Sequence, residues 1–303
     1  MKYIVFLFLI ISCGKNNIER KLDRFDISVD ENKIVYDYKV DSLNNIYLMD
    51  ISTDESLPLL NKSGKFSNPK FIYGAGKVVF INHINKPEFW IYDIPSKKII
   101  KKITVTPGFI VDYFPSKFEN KIYYIQASEF DSYSPIARKS FHDFDIYQLD
   151  LKSFQTEKLS NIHSYSMTEI GEINKDNLIV SMQGAKEESG LFTIDKKTKI
   201  TLQNLKKISI ENDTLRNSTM YGNPVILSQN KILCSSSYQL VLLNLDKKEE
   251  TQILPSTGYH YRTIRNIGDK IFYNQTDNSN NITYFNLNDK KFNSINLAPK
   301  NIK

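Results

Sequence analysis

Two short sequence patterns alternate along the chain, and this alternation constrains the fold more than any other feature. The first pattern is a polar residue followed by aliphatic or aromatic residues, and the second is an apolar pair, any residue, an apolar residue and then Asp or Asn. The first pattern begins at Lys33, Lys77, Lys121, Asn177, Lys231 and Lys270. The second ends at Asp50, Asp93, Asp150, Asp195, Asp246 and Asn288.

The spacing of these patterns is typical of a blade of antiparallel sheet. Successive copies of the second pattern end 43, 57, 45, 51 and 42 residues apart, close to the length of a four-stranded blade. Each unit also holds an inner strand such as PKFIY and a short outer strand such as LPLL, separated by turn signals. Blades in a ring cover one another's faces and leave only short edges. We therefore predict an all-β fold, a six-bladed β-propeller of four-stranded antiparallel blades.

The composition agrees with a strand-rich domain without a nucleic-acid partner. Tyr and Phe contribute 18 residues each, and hydrophobic residues make up 41% of the chain, which favours strands. The 40 Lys and Arg residues are set against 34 acidic residues and are scattered along the whole sequence. The net charge of +6 therefore indicates a solvated surface, because nucleic-acid binding requires clustered basic residues.

The amino-terminal residues have the features of a secretory signal. Lys2 supplies a positive charge, Tyr3 to Ile11 form a short apolar run, and Ser12 is a small residue before Cys13. The nine apolar residues of this run are too few to span a bilayer as a helix. We expect residues 1–12 to be removed. An ordinary secretory signal beside an incidental cysteine is the alternative.

The segment from Ile10 to Cys13 resembles the lipobox of bacterial lipoproteins, with Ile10 where Leu is usual. The resemblance implies that Cys13 becomes the first residue of the mature protein and is a thioether-linked anchor that carries three acyl chains. Several acyl chains hold a protein on a membrane stably. Residues 13–23 are then the lipidated cysteine and a tether, and residues 24–303 the propeller. We expect a location in the cell envelope, anchored in a bacterial membrane, with the outer membrane favoured.

Residues 26–53 resemble the TolB-type repeat, a PD40- or WD40-like unit. The matching positions are Ser28, Asp30, Ile34, Tyr36, Ile46, Tyr47, Met49 and Asp50. Later units keep the strand patterns but lose the S-P-D-G turn. TolB carries an α/β domain before its propeller, whereas about a dozen residues separate Cys13 from the first expected strand, so a role in the Tol system is not implied. The plan is more similar to the single-domain propeller lipoproteins common in Bacteroidetes.

Two insertions suggest where a binding site lies. The distance from the start of the first pattern to the end of the second is longest in blade three, which has extra residues within 127–145, and a second excess lies within 204–223. Propeller geometry puts both on one rim, and loops on a rigid scaffold often carry function. The candidate binding residues are Tyr133, Arg138, His142, Asp143, Tyr165, Arg216, Tyr221, Tyr261 and Arg262.

Aromatic residues also precede most of the inner strands, and they have two interpretations. These residues are Phe66, Phe109, Tyr165, Tyr221 and Tyr261, with His163 and His260 nearby. They either form a ring around the channel mouth, suited to a sugar, an anion or a protein partner, or act as wedges between blades. The inserted loops, likewise, either carry function or reflect neutral drift, since insertions cost little stability.

The sequence contains no motif for a known reaction or cofactor. It lacks the G-x-S-x-G, H-E-x-x-H, P-loop and G-x-G-x-x-G patterns. The four histidines lie in different units, so no metal or cofactor is expected. Cys234 alternates with apolar neighbours, which favours a small buried thiol.

We therefore expect a membrane-anchored lipoprotein whose propeller binds a protein partner or an extracellular ligand on one rim without catalysis. The alternative is a hydrolase or lyase acting on a polysaccharide or peptide, with acids such as Glu129, Asp131 and Asp143. A deep pocket with converging carboxylates or histidines on the rim favours the enzyme, and a flat aromatic patch favours docking.

Overall fold

The fold is all-β, with six blades that each contain four antiparallel strands. A computed structural model describes residues 20–74, 76–106, 108–132, 138–183, 190–199, 202–205, 221–228, 230–236, 238–247, 249–276 and 280–299. The predicted number and composition of the blades are confirmed. None of these residues is helical, so no helix among them is long and apolar enough to cross a membrane.

Each blade is formed by four strands that are consecutive in sequence. Blade one contains β1 (Arg20–Ile27), β2 (Lys33–Val40), β3 (Leu43–Asp50) and β4 (Glu55–Pro58). Blade two contains β5 (Phe66–Ile72), β6 (Lys77–Asn82), β7 (Glu88–Asp93) and β8 (Lys98–Thr104). Blade three contains β9 (Phe109–Pro115), β10 (Lys121–Asp131), β11 (Ser140–Asp150) and β12 (Thr156–Lys158).

The remaining three blades repeat this order. Blade four contains β13 (Ser166–Glu172), β14 (Asn177–Gln183), β15 (Gly190–Asp195) and β16 (Leu202–Leu205). Blade five contains β17 (Tyr221–Ser228), β18 (Lys231–Ser236), β19 (Gln239–Asn244) and β20 (Glu249–Leu254). Blade six contains β21 (Tyr261–Ile267), β22 (Lys270–Gln275), β23 (Asn281–Asn286) and β24 (Phe292–Asn296).

The second strand of each blade is buried on both faces, which explains the uninterrupted apolar runs of the first pattern. In β2, Val35 packs toward blade two, whereas Ile34 and Tyr36 pack toward blade six. A sheet covered on both faces needs apolar residues at successive positions rather than at every second one. Cys234 follows the same rule in β18, where it is fully buried and burial raises the pKa of its thiol.

The hydrophobic core consists of six clusters, one at each interface between neighbouring blades. The cluster between blade one and blade six contains Leu22, Phe25, Phe272 and Ile282. No strand of the described chain is shared between these two blades. The ring is therefore closed by side-chain packing and polar contacts.

Every inner strand carries a β-bulge at a corresponding position. In β1 the register shifts between Leu22 and Phe25, and in β5 between Ser67 and Lys70. The inner strands of the other four blades show the same shift opposite their second strands. A bulge leaves one residue outside the ladder and redirects its neighbours' side chains. The six bulges thus surround the central channel with side chains and backbone groups that the ladders do not use.

Candidate functional site

The structure has two faces with different loops, and we name them by these loops. The hairpin face is where the inner strands begin and the second strands end, and it carries the loop between β10 and β11. The channel face is the opposite one, with the loops between first and second strands. β10 and β11 each have 11 residues, against six to eight in the corresponding strands of the other blades. The blade-three insertion is therefore an extended hairpin on the hairpin face.

Two of the predicted residues in this hairpin, His142 and Asp143, contact other side chains at its base. Asp143 accepts a hydrogen bond from Ser128 Oγ at 2.7 Å, and its Oδ1 lies 2.6 Å from His163 Nδ1. These contacts hold the pKa of Asp143 below its usual value, although burial opposes them. His142 Nδ1 lies 3.7 Å from Glu129 Oε2. Arg138 is exposed near the tip.

The other predicted site residues are distributed between the protein interior and the surface. Tyr221 and Tyr261 are only 1% and 5% exposed. Tyr221 donates to Glu250 Oε2 at 2.5 Å, and Tyr261 packs edge-on against Tyr273. Tyr165 is 46% exposed, Arg262 pairs with Asp23 of blade one, and Tyr133 and Arg216 lie outside the described residues. The described members of the set therefore do not meet in one place.

The acids that an enzyme on this rim requires do not converge either. Asp131 pairs with Lys139 at 3.3 Å, Glu129 lies near His142, and Asp143 bonds with Ser128 and His163. Each of these three carboxylates therefore contacts a different set of side chains. No group of three or more His, Cys, Asp or Glu side chains among the described residues is arranged to hold a metal ion.

The hairpin face does carry an exposed aromatic cluster. Phe130 and Phe141 are paired across the hairpin with ring centroids 4.7 Å apart, and Phe109 stacks on Phe141 at 5.0 Å. The ring of His83 continues this row at 5.8 Å from Phe109. A shallow cavity of about 400 Å³ lies between Phe130, Phe141 and the loop of blade two that contains Pro87. We call the rings of Phe130, Phe141, Phe109 and His83 the aromatic row.

The central channel forms a cavity that opens on the channel face. It has a volume of about 960 Å³ and is lined by the inner strands of all six blades. Loop residues from the channel face, such as Ser28, Tyr73 and Lys117, form its mouth. This cavity therefore lies on the face opposite to the predicted docking rim, which carries the shallow cavity beside Phe130 and Phe141.

Charged side chains of the inner strands form bonds between blades in the channel wall. Lys70 Nζ donates to Asp112 Oδ1 at 2.9 Å and also to the carbonyl oxygen of Tyr113. The same Asp112 oxygen accepts from Asn68 Nδ2 at 2.9 Å, and its other oxygen accepts from the backbone N–H of Ile170 at 3.2 Å. This carboxylate thus connects blades two, three and four.

A second carboxylate connects blade one to both of its neighbours. Asp26 Oδ1 accepts from Arg265 Nε of blade six at 2.7 Å, and Asp26 Oδ2 accepts from the backbone N–H of Phe71 in blade two at 2.9 Å. Arg24 donates from Nη1 to the carbonyl oxygen of Arg262 at 2.8 Å. Charge-assisted bonds of this kind are stronger than neutral ones.

Burial changes the pKa values of several groups in this wall and that of Asp37, which lies in β2 and accepts bonds from the backbone N–H groups of Arg24 and Asn68. Burial lowers the pKa of Lys70 to about 8, although Asp112 opposes the shift. Burial acts to raise the pKa of Asp112, but Lys70 and Arg24 beside it hold that pKa below its usual value. Burial and the charge of Asp23 raise the pKa of Asp37 to about 7. Burial also raises the pKa of Glu169.

The predicted site contained none of the charged residues of the channel wall. Their signal is present in the sequence as a charged residue inside an otherwise apolar inner strand. Examples are Lys70 in PKFIY, Asp112 in IVDYF and Arg265 in TIRNI. A charge in such a strand has to face either a channel or a partner charge.

Comparisons with solved structures agree with this architecture. The tricorn protease is similar with a TM-score of 0.62 and 14% identity over 94% of this chain, which spans 27% of that chain. TolB from Acinetobacter baumannii gives a TM-score of 0.59 and 11% identity over 91% of this chain and 62% of its own. The chain folds as a TolB-like propeller.

A third solved structure is also similar to this chain. It is the β-propeller domain of the Trilobed protease from Pyrococcus furiosus, which is described as having an open velcro topology. That match has a TM-score of 0.58 and 14% identity, and it covers 93% of this chain and 86% of the other. No family model matches the sequence, and no curated protein matches it. The similarities therefore concern the fold.

Proposed function

We propose that the protein is a lipoprotein of the bacterial cell envelope, held on a membrane through Cys13, that binds an acidic segment of a partner protein in its central cavity. The proposal includes no reaction. The observation that carries it is the cavity of about 960 Å³, whose wall combines apolar strands with guanidinium groups. Concave sites of this size with a few polar groups in an apolar lining are typical binding sites.

The hydrogen-bonding capacity of the wall favours an acidic ligand. Five carboxylates line the cavity, and each already accepts a hydrogen bond from the protein: Asp26, Asp30, Asp112, Glu169 and Glu172. Each arginine carries five N–H donors. Among the described contacts, the side chain of Arg24 uses one of its nitrogens and that of Arg265 uses two. Donors therefore remain for carboxylates of a ligand, which guanidinium groups bind in a planar, two-bond geometry.

The apolar part of the wall suits a peptide rather than a small anion. Ile72, Ile170, Val225 and Ile267 line the cavity between the charged residues. A segment that combines acidic and apolar side chains fits this alternation. The overall charge of +6 also assists the approach of an acidic partner.

Site-specific photo-crosslinking in intact cells tests this proposal. A photoreactive amino acid replaces Tyr73, which is 49% exposed at the cavity mouth, or Phe292, which is 55% exposed on the outer strand of blade six. We expect one defined partner to crosslink at position 73 and not at position 292. A synthetic peptide with the acidic sequence of that partner should compete for the crosslink.

Two arginines of β21 provide a matched pair of variants. Arg265 lines the cavity and pairs with Asp26, whereas Arg262 pairs with Asp23 and does not line the cavity. Both substitutions to Gln remove an ion pair between blades one and six. Arg265→Gln should weaken binding of the peptide at least tenfold, whereas Arg262→Gln should leave its affinity unchanged. Equal binding by both variants, or equal crosslinking at positions 73 and 292, would contradict the proposal.

A further inference from the structure

The chain joins the propeller at the hairpin face. Arg20, the first residue of β1, pairs with Val40 at the end of β2, which in turn pairs with Leu43 at the start of β3. Cys13 lies seven residues before Arg20. Whatever its conformation, a segment of this length spans at most about 25 Å. An anchor on Cys13 therefore keeps the hairpin face near the membrane.

Exposed apolar side chains are concentrated on the same face. Among the described residues, the exposed apolar side chains on the hairpin face are Leu43, Ile84, Phe109, Phe130, Phe141, Tyr165, Tyr238 and Tyr259. The channel face has Val29, Tyr73 and Phe118, and the outer strands have Leu57, Ile100 and Phe292. Contiguous exposed apolar surface marks a contact with a protein or a membrane.

Two rings of the aromatic row, those of Phe130 and Phe141, stand on a hairpin that extends beyond its own blade. β9 pairs with β10 no farther than Ala127, so β10 and β11 continue beyond the blade as a two-stranded ribbon. The four residues from Ser128 to Asp131 extend it by about 13 Å. Phe130 and Phe141 lie on this ribbon and are 55% and 39% exposed.

We propose that the hairpin face rests on the bilayer, with Phe109, Phe130 and Phe141 in the interfacial region. This inference depends on the anchor at Cys13 that the proposed function includes. The short tether limits the distance between the hairpin face and the membrane. The exposed rings determine which surface turns toward the lipid. Aromatic side chains are favourable at the boundary between headgroups and acyl chains. The cavity mouth then points away from the membrane, toward a partner.

The contact depends on apolar side chains more than on charge. The exposed cations among the described residues of this face are Lys62, Lys65, Lys86, Arg138 and Lys139, and Lys139 pairs with Asp131. Exposed acids, Asp41, Glu129 and Asp131, lie on the same face, so the attraction to anionic lipid is small. The contact should therefore persist in high salt, unlike one made by a basic patch.

Two phenylalanines of nearly equal exposure allow a direct test. Phe130 on the hairpin face is 55% exposed, and Phe118 on the channel face is 56% exposed. The full-length lipidated protein is reconstituted in vesicles of phosphatidylethanolamine and phosphatidylglycerol whose acyl chains carry bromine near the headgroup. The parent contains a single tryptophan, Trp90, which gives the baseline fluorescence for Phe130→Trp and Phe118→Trp.

We expect brominated lipid to reduce the added fluorescence of Phe130→Trp at least twofold, at low and at high salt, and to leave that of Phe118→Trp unchanged. Equal quenching of both variants, quenching of Phe118→Trp alone, or loss of the effect in salt would overturn the inference. A hairpin face covered by a protein or a second copy also leaves Phe130→Trp unquenched.

Flotation of the vesicles and the mass of the Cys13 peptide test the anchor separately. A lipidated protein that floats with the vesicles while Phe130→Trp is unquenched overturns the orientation alone. A protein that carries no lipid overturns the anchor of the proposed function and the orientation with it.

Discussion

Arg265 Nε donates to Asp26 Oδ1 at 2.7 Å and thereby joins the last blade of the ring to the first. Arg262 pairs with Asp23 across the same seam, and Lys270 Nζ lies 2.5 Å from Glu31 Oε2. Together with the hydrophobic cluster of blades one and six, these contacts take the place of a shared strand. The stability of the ring should therefore depend on this seam.

Asp26→Ala should lower the free energy of unfolding by about 2–3 kcal/mol, because it removes the partner of Arg265 and leaves the backbone N–H of Phe71 without its acceptor. Urea denaturation measures this change. Glu55→Ala, at an exposed position of β4, is the control and should change stability by less than about 0.5 kcal/mol. Equal effects of the two substitutions would show that the seam does not limit stability.

Gly108→Ala should be among the most destabilising of the glycine substitutions. Gly108 has φ of +113°, and a Cβ atom there would lie 1.6 Å from the carbonyl oxygen of Ala127. The backbone strain and the steric overlap together should lower the free energy of unfolding by about 3 kcal/mol or more. Gly258 has φ of +78° with no atom within 4 Å of the added Cβ, so Gly258→Ala should cost about 1 kcal/mol. Thermal unfolding of both variants checks this ranking, and a reversed order would contradict it.

Lys70→Met should destabilise the protein by about 3–5 kcal/mol, because it removes the cation that bonds with the buried carboxylate of Asp112. Lys98→Met, at an exposed position of β8, is the matched control and should be nearly neutral. The difference is measured by chemical denaturation. A nearly neutral Lys70→Met variant would mean that the bonds from Asn68 and Ile170 suffice to stabilise Asp112.

Asp37 should make stability depend on pH. Burial and Asp23 raise its pKa from 3.8 to about 7 in the folded protein, so the folded state binds its proton more tightly than the unfolded state. Its contribution to stability is complete below pH 3.8 and is lost as the pH rises through about 7. Asp37→Asn should therefore flatten the stability curve between about pH 4 and 7, measured by urea denaturation. An unchanged slope would contradict the assignment.

The sequence was sufficient to predict the number of blades because every blade packs between two neighbouring blades in the same way. The second strand is covered on both faces, so the run from Lys33 to Tyr36 and its counterparts are visible without an alignment. The insertion of blade three was also visible, because its patterns are farther apart. The predicted fold and its TolB-like character are confirmed.

The location of the cavity and its charges could not be predicted in the same way. The partners of Asp112 lie 42 and 58 residues away, in Lys70 and Ile170, and they meet only because the blades form a ring. The bulges that redirect these side chains leave no distinct residue pattern. The prediction that the hairpin rim docks a partner stays a prediction.

The anchor at Cys13 underlies both the proposed function and the proposed orientation, and mass spectrometry of the amino-terminal peptide tests it most directly. The protein is purified from membranes of the producing organism and digested. We predict a mature chain that begins at Cys13 and carries a diacylglyceryl thioether and an N-linked acyl group. A chain that begins at another residue, or at Cys13 with an unmodified thiol, would contradict the account.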